Sequence, residues 1–172
     1  MTDIRKLLLC IGCVFVLGAG SSHAQSEGDW IGLASGYPLL PTVYYGLDDA
    51  LGSRVDLRLN AGIRRFNYSV GSGVAGTVLS VGADALLQLP VTPEQLKVYA
   101  GGGVALAGGS GRQGDAYGFS VNVSARGLAG LEYRLDAWGL VAELNAGLDS
   151  YFSPDSFTRF APALRLGVNY HF

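Results

Sequence analysis

Ala163-Leu164-Arg165-Leu166-Gly167-Val168-Asn169-Tyr170-His171-Phe172 alternates without a break: Leu164, Leu166, Val168, Tyr170 and Phe172 share one phase, and Ala163, Arg165, Gly167, Asn169 and His171 share the other. Successive side chains of a β-strand point to opposite faces, so this stretch predicts a strand with one apolar and one polar face. The same pattern runs backwards through the chain. Leu140, Ala142, Leu144, Ala146 and Leu148 oppose Val141, Glu143, Asn145, Gly147 and Asp149, and Val55, Leu57, Leu59, Ala61 and Ile63 oppose Arg54, Asp56, Arg58, Asn60 and Arg64. Strands are predicted at about 30–37, 41–47, 54–66, 76–89, 96–108, 118–134, 138–151 and 159–172, an all-β chain of eight strands. Most exceed the 5 or 6 residues of an ordinary strand and match the roughly 9 to 11 that cross a bilayer when tilted.

The connections alternate too. Residues 48–53, 90–95 and 136–137 are compact, whereas 70–75, 107–117 and 152–158 read as looser loops. An antiparallel up-and-down meander with an even strand count has both termini at one end, together with the compact set. Short turns at one end and longer loops at the other are the pattern of a transmembrane β-barrel.

Thirteen charged residues of the last six strands fall on the polar phase, and Arg65, at a strand end, falls on the other. Alternation alone leaves two barrels open, because a soluble lipocalin-like barrel would turn the apolar phase inward. Three features favour the membrane form. The polar phase is filled with glycine (Gly62, Gly82, Gly101, Gly103, Gly130, Gly147, Gly167) rather than lysine or threonine, which leaves room for long side chains in a narrow lumen. Aromatic residues gather at both strand ends, with Phe66, Tyr68, Tyr117, Phe119, Tyr151, Phe152 and Phe160 at the loop end and Tyr45, Tyr133, Trp138, Tyr170 and Phe172 at the turn end, as in interfacial girdles. The third is residues 167–172, Gly-Val-Asn-Tyr-His-Phe, which resemble the C-terminal β-signal of outer-membrane proteins.

With that signal, the strand pattern and the leader described next, the chain resembles the small eight-stranded outer-membrane barrels of the OmpA transmembrane domain and OmpX type. The resemblance implies that Tyr170 and Phe172 are read by the outer-membrane assembly machinery, and that outer-membrane lipids surround the protein. It departs from full-length OmpA-type proteins in having no expected peptidoglycan-binding domain after Phe172.

Met1 to Ala24 carries Arg5 and Lys6, the apolar run 7–20 and Ser22-His23-Ala24 before Gln25, the layout of a secretory signal cleaved near Ala24. The division is therefore 1–24 signal peptide and 25–172 barrel, in the outer membrane of a diderm bacterium. Both cysteines, Cys10 and Cys13, lie in the leader. Removing Asp3, Arg5 and Lys6 with it leaves 10 basic and 13 acidic residues, so no nucleic-acid partner is expected. Charged residues make up 15 % of the chain and glycine supplies 26 residues, far from the composition of an ordinary soluble domain.

Catalysis finds little support in the inventory. His171 is the one histidine after the leader, at the turn end, where a serine triad is not expected. Asp149 and Asp155 read as solvated loop acids, Asp48-Asp49 lacks a third metal ligand nearby, and Gly101 to Gly111 lacks the Gly-Lys-Ser/Thr ending of a phosphate loop. No metal, no cofactor and no enzymatic activity are expected. An Arg facing lipid at mid-depth would cost roughly 2–4 kcal/mol, so Arg58, Asp84, Arg126, Glu143 and Arg165 are assigned to the lumen as an ion-pair network. The function expected is structural or surface-interacting, with an unidentified partner at the loops. A narrow pore for small solutes and a secreted soluble ligand binder are the alternatives.

Overall fold

The computed structural model describes residues 28–37, 39–68, 74–90, 93, 95–113, 116–152 and 157–172. The expected leader, 1–24, and Asp155 lie outside the described residues, as do the side chains of Phe66, Tyr68 and Tyr117 from the expected loop-end girdle. The strands are β1 (Trp30–Tyr37), β2 (Leu39–Leu47), β3 (Val55–Tyr68), β4 (Val74–Leu89), β5 (Leu96–Gln113), β6 (Ala116–Leu135), β7 (Trp138–Phe152), β8 (Phe157–Phe160) and β9 (Ala163–His171). Neighbours in the wall pair antiparallel, and β1 pairs with β9 from Trp30 opposite His171 to Tyr37 opposite Leu164, which closes the ring.

β8 and β9 are one wall strand, the eighth of the barrel. Leu148 opposes Phe160 and Asn145 opposes Ala163, so the register carries through Ala161 and Pro162 unchanged, and the Ala161 N–H still donates to the Gly147 carbonyl at 2.8 Å. Pro162 has no N–H to give to the ladder, which interrupts the strand without slipping it. Pro41 is tolerated within β2 because the register shifts between Leu39 and Thr42, an irregularity of the kind that accommodates proline.

The expected loop at 107–117 is instead paired strand over 107–113 and 116–117. β5 runs on to Gln113 and β6 begins at Ala116, with Gly108 opposite Val121 and Gly111 opposite Gly118. The Gly/Ser-rich run reads as a loop by composition, yet it keeps period two, and the glycines pair as well as any other residue. The expected contrast between compact turns and longer loops disappears with it. The gaps at 69–73, 114–115 and 153–156 are no longer than those at 48–54 and 90–95. Arg54, expected in β3, belongs to the preceding turn with φ 78°, where its N–H donates to Asp49 Oδ1 at 2.7 Å.

The apolar phase faces out. Val104, Phe119, Leu144, Leu166 and Phe172 are at least 60 % exposed, whereas Asp56, Arg58, Asp84, Glu132, Glu143 and Arg165 are at most 3 % exposed. This is the reverse of a soluble ligand-binding barrel. Tyr133, Trp138, Tyr170 and Phe172 form an outward aromatic group at the turn end, with Trp138 and Tyr170 edge to face at 5.1 Å. At the loop end Phe119, Phe152 and Phe160 face out, but Tyr151 does not. It is on the polar phase and turns inward beneath Arg159, whose guanidinium lies 5.4 Å from its ring centroid.

Following directly paired residues round the ring gives the stagger. Trp30 opposes Gly46, then Arg58, Asp84, Gly103, Arg126 and Gly147 follow in turn, and Gly147 meets residue 161 of the last wall strand. Trp30 itself meets His171, ten residues further along. Such a shear forces the strands to tilt, typically by about 35–45°. It also lifts one side of each pairing row relative to the other, so residues far apart in the ladder meet across the lumen.

Candidate functional site

Arg58 comes from β3, Asp84 from β4, Arg126 from β6, Glu143 from β7 and Arg165 from β9, and period two turns all five inward. Asp84 lies between two arginines. Arg58 Nε donates to its Oδ2 at 3.1 Å, and Arg126 donates to Oδ1 from Nη2 at 2.7 Å and from Nε at 3.0 Å. Asn60 adds an amide donor to Oδ2 at 3.1 Å. Glu143 is held in the same way. Arg58 Nη1 at 2.6 Å and the Tyr99 hydroxyl at 3.2 Å donate to Oε2, and Arg165 Nη1 at 3.2 Å and Asn145 Nδ2 at 2.8 Å donate to Oε1. Arg58 is the shared member, bridging the two carboxylates across the lumen, and its guanidinium lies 4.7 Å from the Tyr44 ring centroid.

Space for these groups comes from small residues opposite large ones. A Cβ on Gly103 would collide with Asp84 Oδ1, one on Gly130 would lie 2.5 Å from the Tyr99 ring, and one on Gly147 would lie 2.8 Å from the Arg126 Cβ. Two apolar side chains, Leu86 and Leu128, also turn inward and complete the packing of the layer.

Two further polar groups border it; sequence reasoning considers Asp48, Asp149 and His171 singly and does not bring these groups together, and Asp149, expected as a solvated loop acid, is buried in the wall. At the turn end Lys97 Nζ lies between Asp56 Oδ2 at 2.8 Å and Asp48 Oδ1 at 3.2 Å, and Arg134 approaches Asp48 at 3.7 Å. Burial pushes the Asp48 carboxyl above its ordinary range, although Lys97 pulls it down. His171, expected as an interfacial residue, turns inward and meets Glu132 Oε1 through Nε2 at 2.5 Å. The signal was present: Asp56, Lys97, Glu132 and His171 all lie on the inward phase near the same ends of their strands. Towards the loop end the Ser124 hydroxyl donates to Asp149 at 2.6 Å, and Arg159 lies 3.4 Å from the same carboxylate.

Chemically, the central carboxylates are saturated with donors, which suits them to cross-linking the wall rather than to accepting a proton from a substrate. Among the described residues no three His, Cys, Asp or Glu side chains gather as a metal site. The expected Asp48-Asp49 pair is engaged by its own turn: the Asp49 N–H donates to Asp56 Oδ1 at 3.1 Å.

Similar folds occur among solved structures. A major outer membrane protein from Thermus thermophilus superposes with a TM-score of 0.53 at 16 % identity, over 86 % of this chain and 100 % of that one. Neisserial surface protein A gives 0.53 at 19 % identity over 84 % and 94 %. The N-terminal β-barrel domain of Pseudomonas aeruginosa OprF gives 0.52 at 21 % identity over 84 % and 96 %. No protein-family model and no curated protein matches the sequence. The fold is that of the small eight-stranded outer-membrane β-barrels.

Proposed function

We propose that this chain is an integral outer-membrane protein, non-enzymatic, whose closed barrel serves the envelope as a structural or surface-interacting element. One observation carries the reading: the outer surface is a band of exposed Leu, Val and Phe while the charges are sealed within. In hydrocarbon every backbone N–H and C=O needs a partner, and a closed barrel supplies one without leaving an edge. Signal cleavage near Ala24, surrounding outer-membrane lipids and recognition of Tyr170 and Phe172 by the assembly machinery belong to this reading. Both aromatic side chains face out at the turn end, stacked with centroids 6.5 Å apart, accessible to a partner at the membrane edge.

The pore alternative requires the central ion pairs to part, because Arg58 of β3 joins Glu143 of β7 directly across the lumen. Eight-stranded barrels fill their interiors with side chains, and here the filling is cross-linked. Membrane fractionation followed by planar-bilayer recording tests the reading. Recovery with the outer membrane and no steady conductance is expected; steady conductance by the unmodified protein would favour the pore, and recovery in the soluble fraction would contradict both.

A further inference from the structure

Arg165 is 3 % exposed, and its guanidinium is only partly engaged. Its Nη1 donates to Glu143 Oε1 and to the Tyr44 hydroxyl, each at 3.2 Å, whereas its Nε is buried and has no hydrogen-bond partner. Since Tyr44 accepts from Arg165, its own O–H proton remains to be donated. A cavity of about 10 Å³ lies beside these groups, and the Asn169 amide, the Glu143 carboxylate, Ala34 and Val141 complete its wall. The order of the strands explains the space. Tyr44 is on β2 and Arg165 on β9, and Ala34 belongs to β1, the strand between them, where its single methyl group leaves the gap unfilled.

A buried donor without an acceptor is costly, and a polar cavity of this volume admits about one water. The neighbouring charges disfavour an ion, because Glu143 opposes an anion while Arg58 and Arg165 oppose a cation. An ion is not needed either, since the extra guanidinium of the central layer is offset at the turn end, where Asp48 and Asp56 share Lys97. We infer that the cavity is a binding site for one water molecule, which accepts from Arg165 Nε and from the Tyr44 hydroxyl and donates to the Asn169 amide oxygen. Two donors and an acceptor suit the two lone pairs and two hydrogens of a water, and no charge is added. The water ties β2 to β9 over β1, and so reinforces the seam at which the first and last strands close the ring. The site is a property of the lumen and does not depend on the role the barrel plays in the envelope.

The test combines a density map with a spectrum. The barrel is crystallised in sodium bromide and recorded at the bromine edge; in parallel the Nε–H of Arg165, identified by its loss in Arg165→Lys, is examined by NMR in detergent micelles for magnetisation transfer from water. One water-like peak within hydrogen-bonding distance of Nε is expected, without anomalous signal, together with a direct cross-peak between Nε–H and water. Val141→Ile adds one methylene at the cavity wall. It should displace the water and lower the unfolding temperature, because Nε then has no acceptor, whereas filling a dry void would raise that temperature. The inference is overturned by an empty cavity in the map, by a bromide peak within it, by an Nε–H that shows no water cross-peak in the parent, or by a Val141→Ile barrel that unfolds at a higher temperature.

Discussion

Asp84 on β4 stands directly across the ladder from Gly103 on β5, and its carboxylate occupies the place that a side chain on residue 103 would fill. Arg126 of β6 reaches Asp84 over that glycine, so one missing Cβ permits the contact between two strands that are not neighbours. Gly103→Ala is expected to destabilise the barrel by about 1–3 kcal/mol through overpacking. Gly127→Ala is the control, because its Cβ would meet nothing closer than 3.9 Å on the outer wall. Unfolding in urea from lipid vesicles measures both, and similar losses for the two variants would contradict the packing described.

Removing one partner of a buried pair leaves the other charge unmatched, at a cost of about 3–5 kcal/mol. Glu143→Leu strands Arg165 and leaves Arg58 with Asp84 alone, and should reach that range. Arg126→Leu strands Asp84 less completely, because Arg58 still holds it. A double-mutant cycle should give a large coupling for Arg126 with Asp84 and a small one for Arg126 with Glu143, which meet only through Arg58. Equal couplings would mean that the pairs are arranged differently.

The phase of the alternation was legible in the sequence, and with it the inward placement of Arg58, Asp84, Arg126, Glu143 and Arg165, because period two and the expense of a charge in hydrocarbon need no knowledge of neighbours. Which of them pair was not legible. Glu143 meets Arg58 because the ring closes with a ten-residue offset, and shear depends on how the last strand registers against the first. Gly108 to Gly111 misled for a different reason: glycine marks loops in soluble proteins, but in this wall Gly109 makes room for the inward Val78 and Gly108 for the outward ring of Phe119. Tyr151 was assigned by aromaticity to the girdle, when its parity with Asp149 already placed it inside.

Position on the outer wall makes its own prediction. Leu144 is 64 % exposed on β7, at the level where Glu143 fills the lumen. Leu144→Arg should cost about 2–4 kcal/mol when the barrel is folded in lipid. Leu51→Arg, in the turn after β2, exposes a side chain of similar accessibility outside the wall and should stay within about 0.5 kcal/mol of the parent. Tolerance of arginine at residue 144 would argue that this face meets water.

Phe172 separates recognition from stability. Its N–H donates to the Asp29 carbonyl at 3.0 Å, a bond that any side chain preserves, and its ring faces out. Phe172→Ala should lower the amount assembled in the outer membrane of living cells while leaving folding into vesicles from urea nearly unchanged. An equal loss in both assays would assign the residue to stability alone.

The most direct test of a closed barrel with its charges inside is migration of the membrane-extracted protein on a denaturing gel, with and without boiling. The unboiled protein should run as a compact band and the boiled one as an expanded band, both from the outer-membrane fraction. A single unshifted band, with the protein recovered free of membranes, would contradict the closed transmembrane barrel.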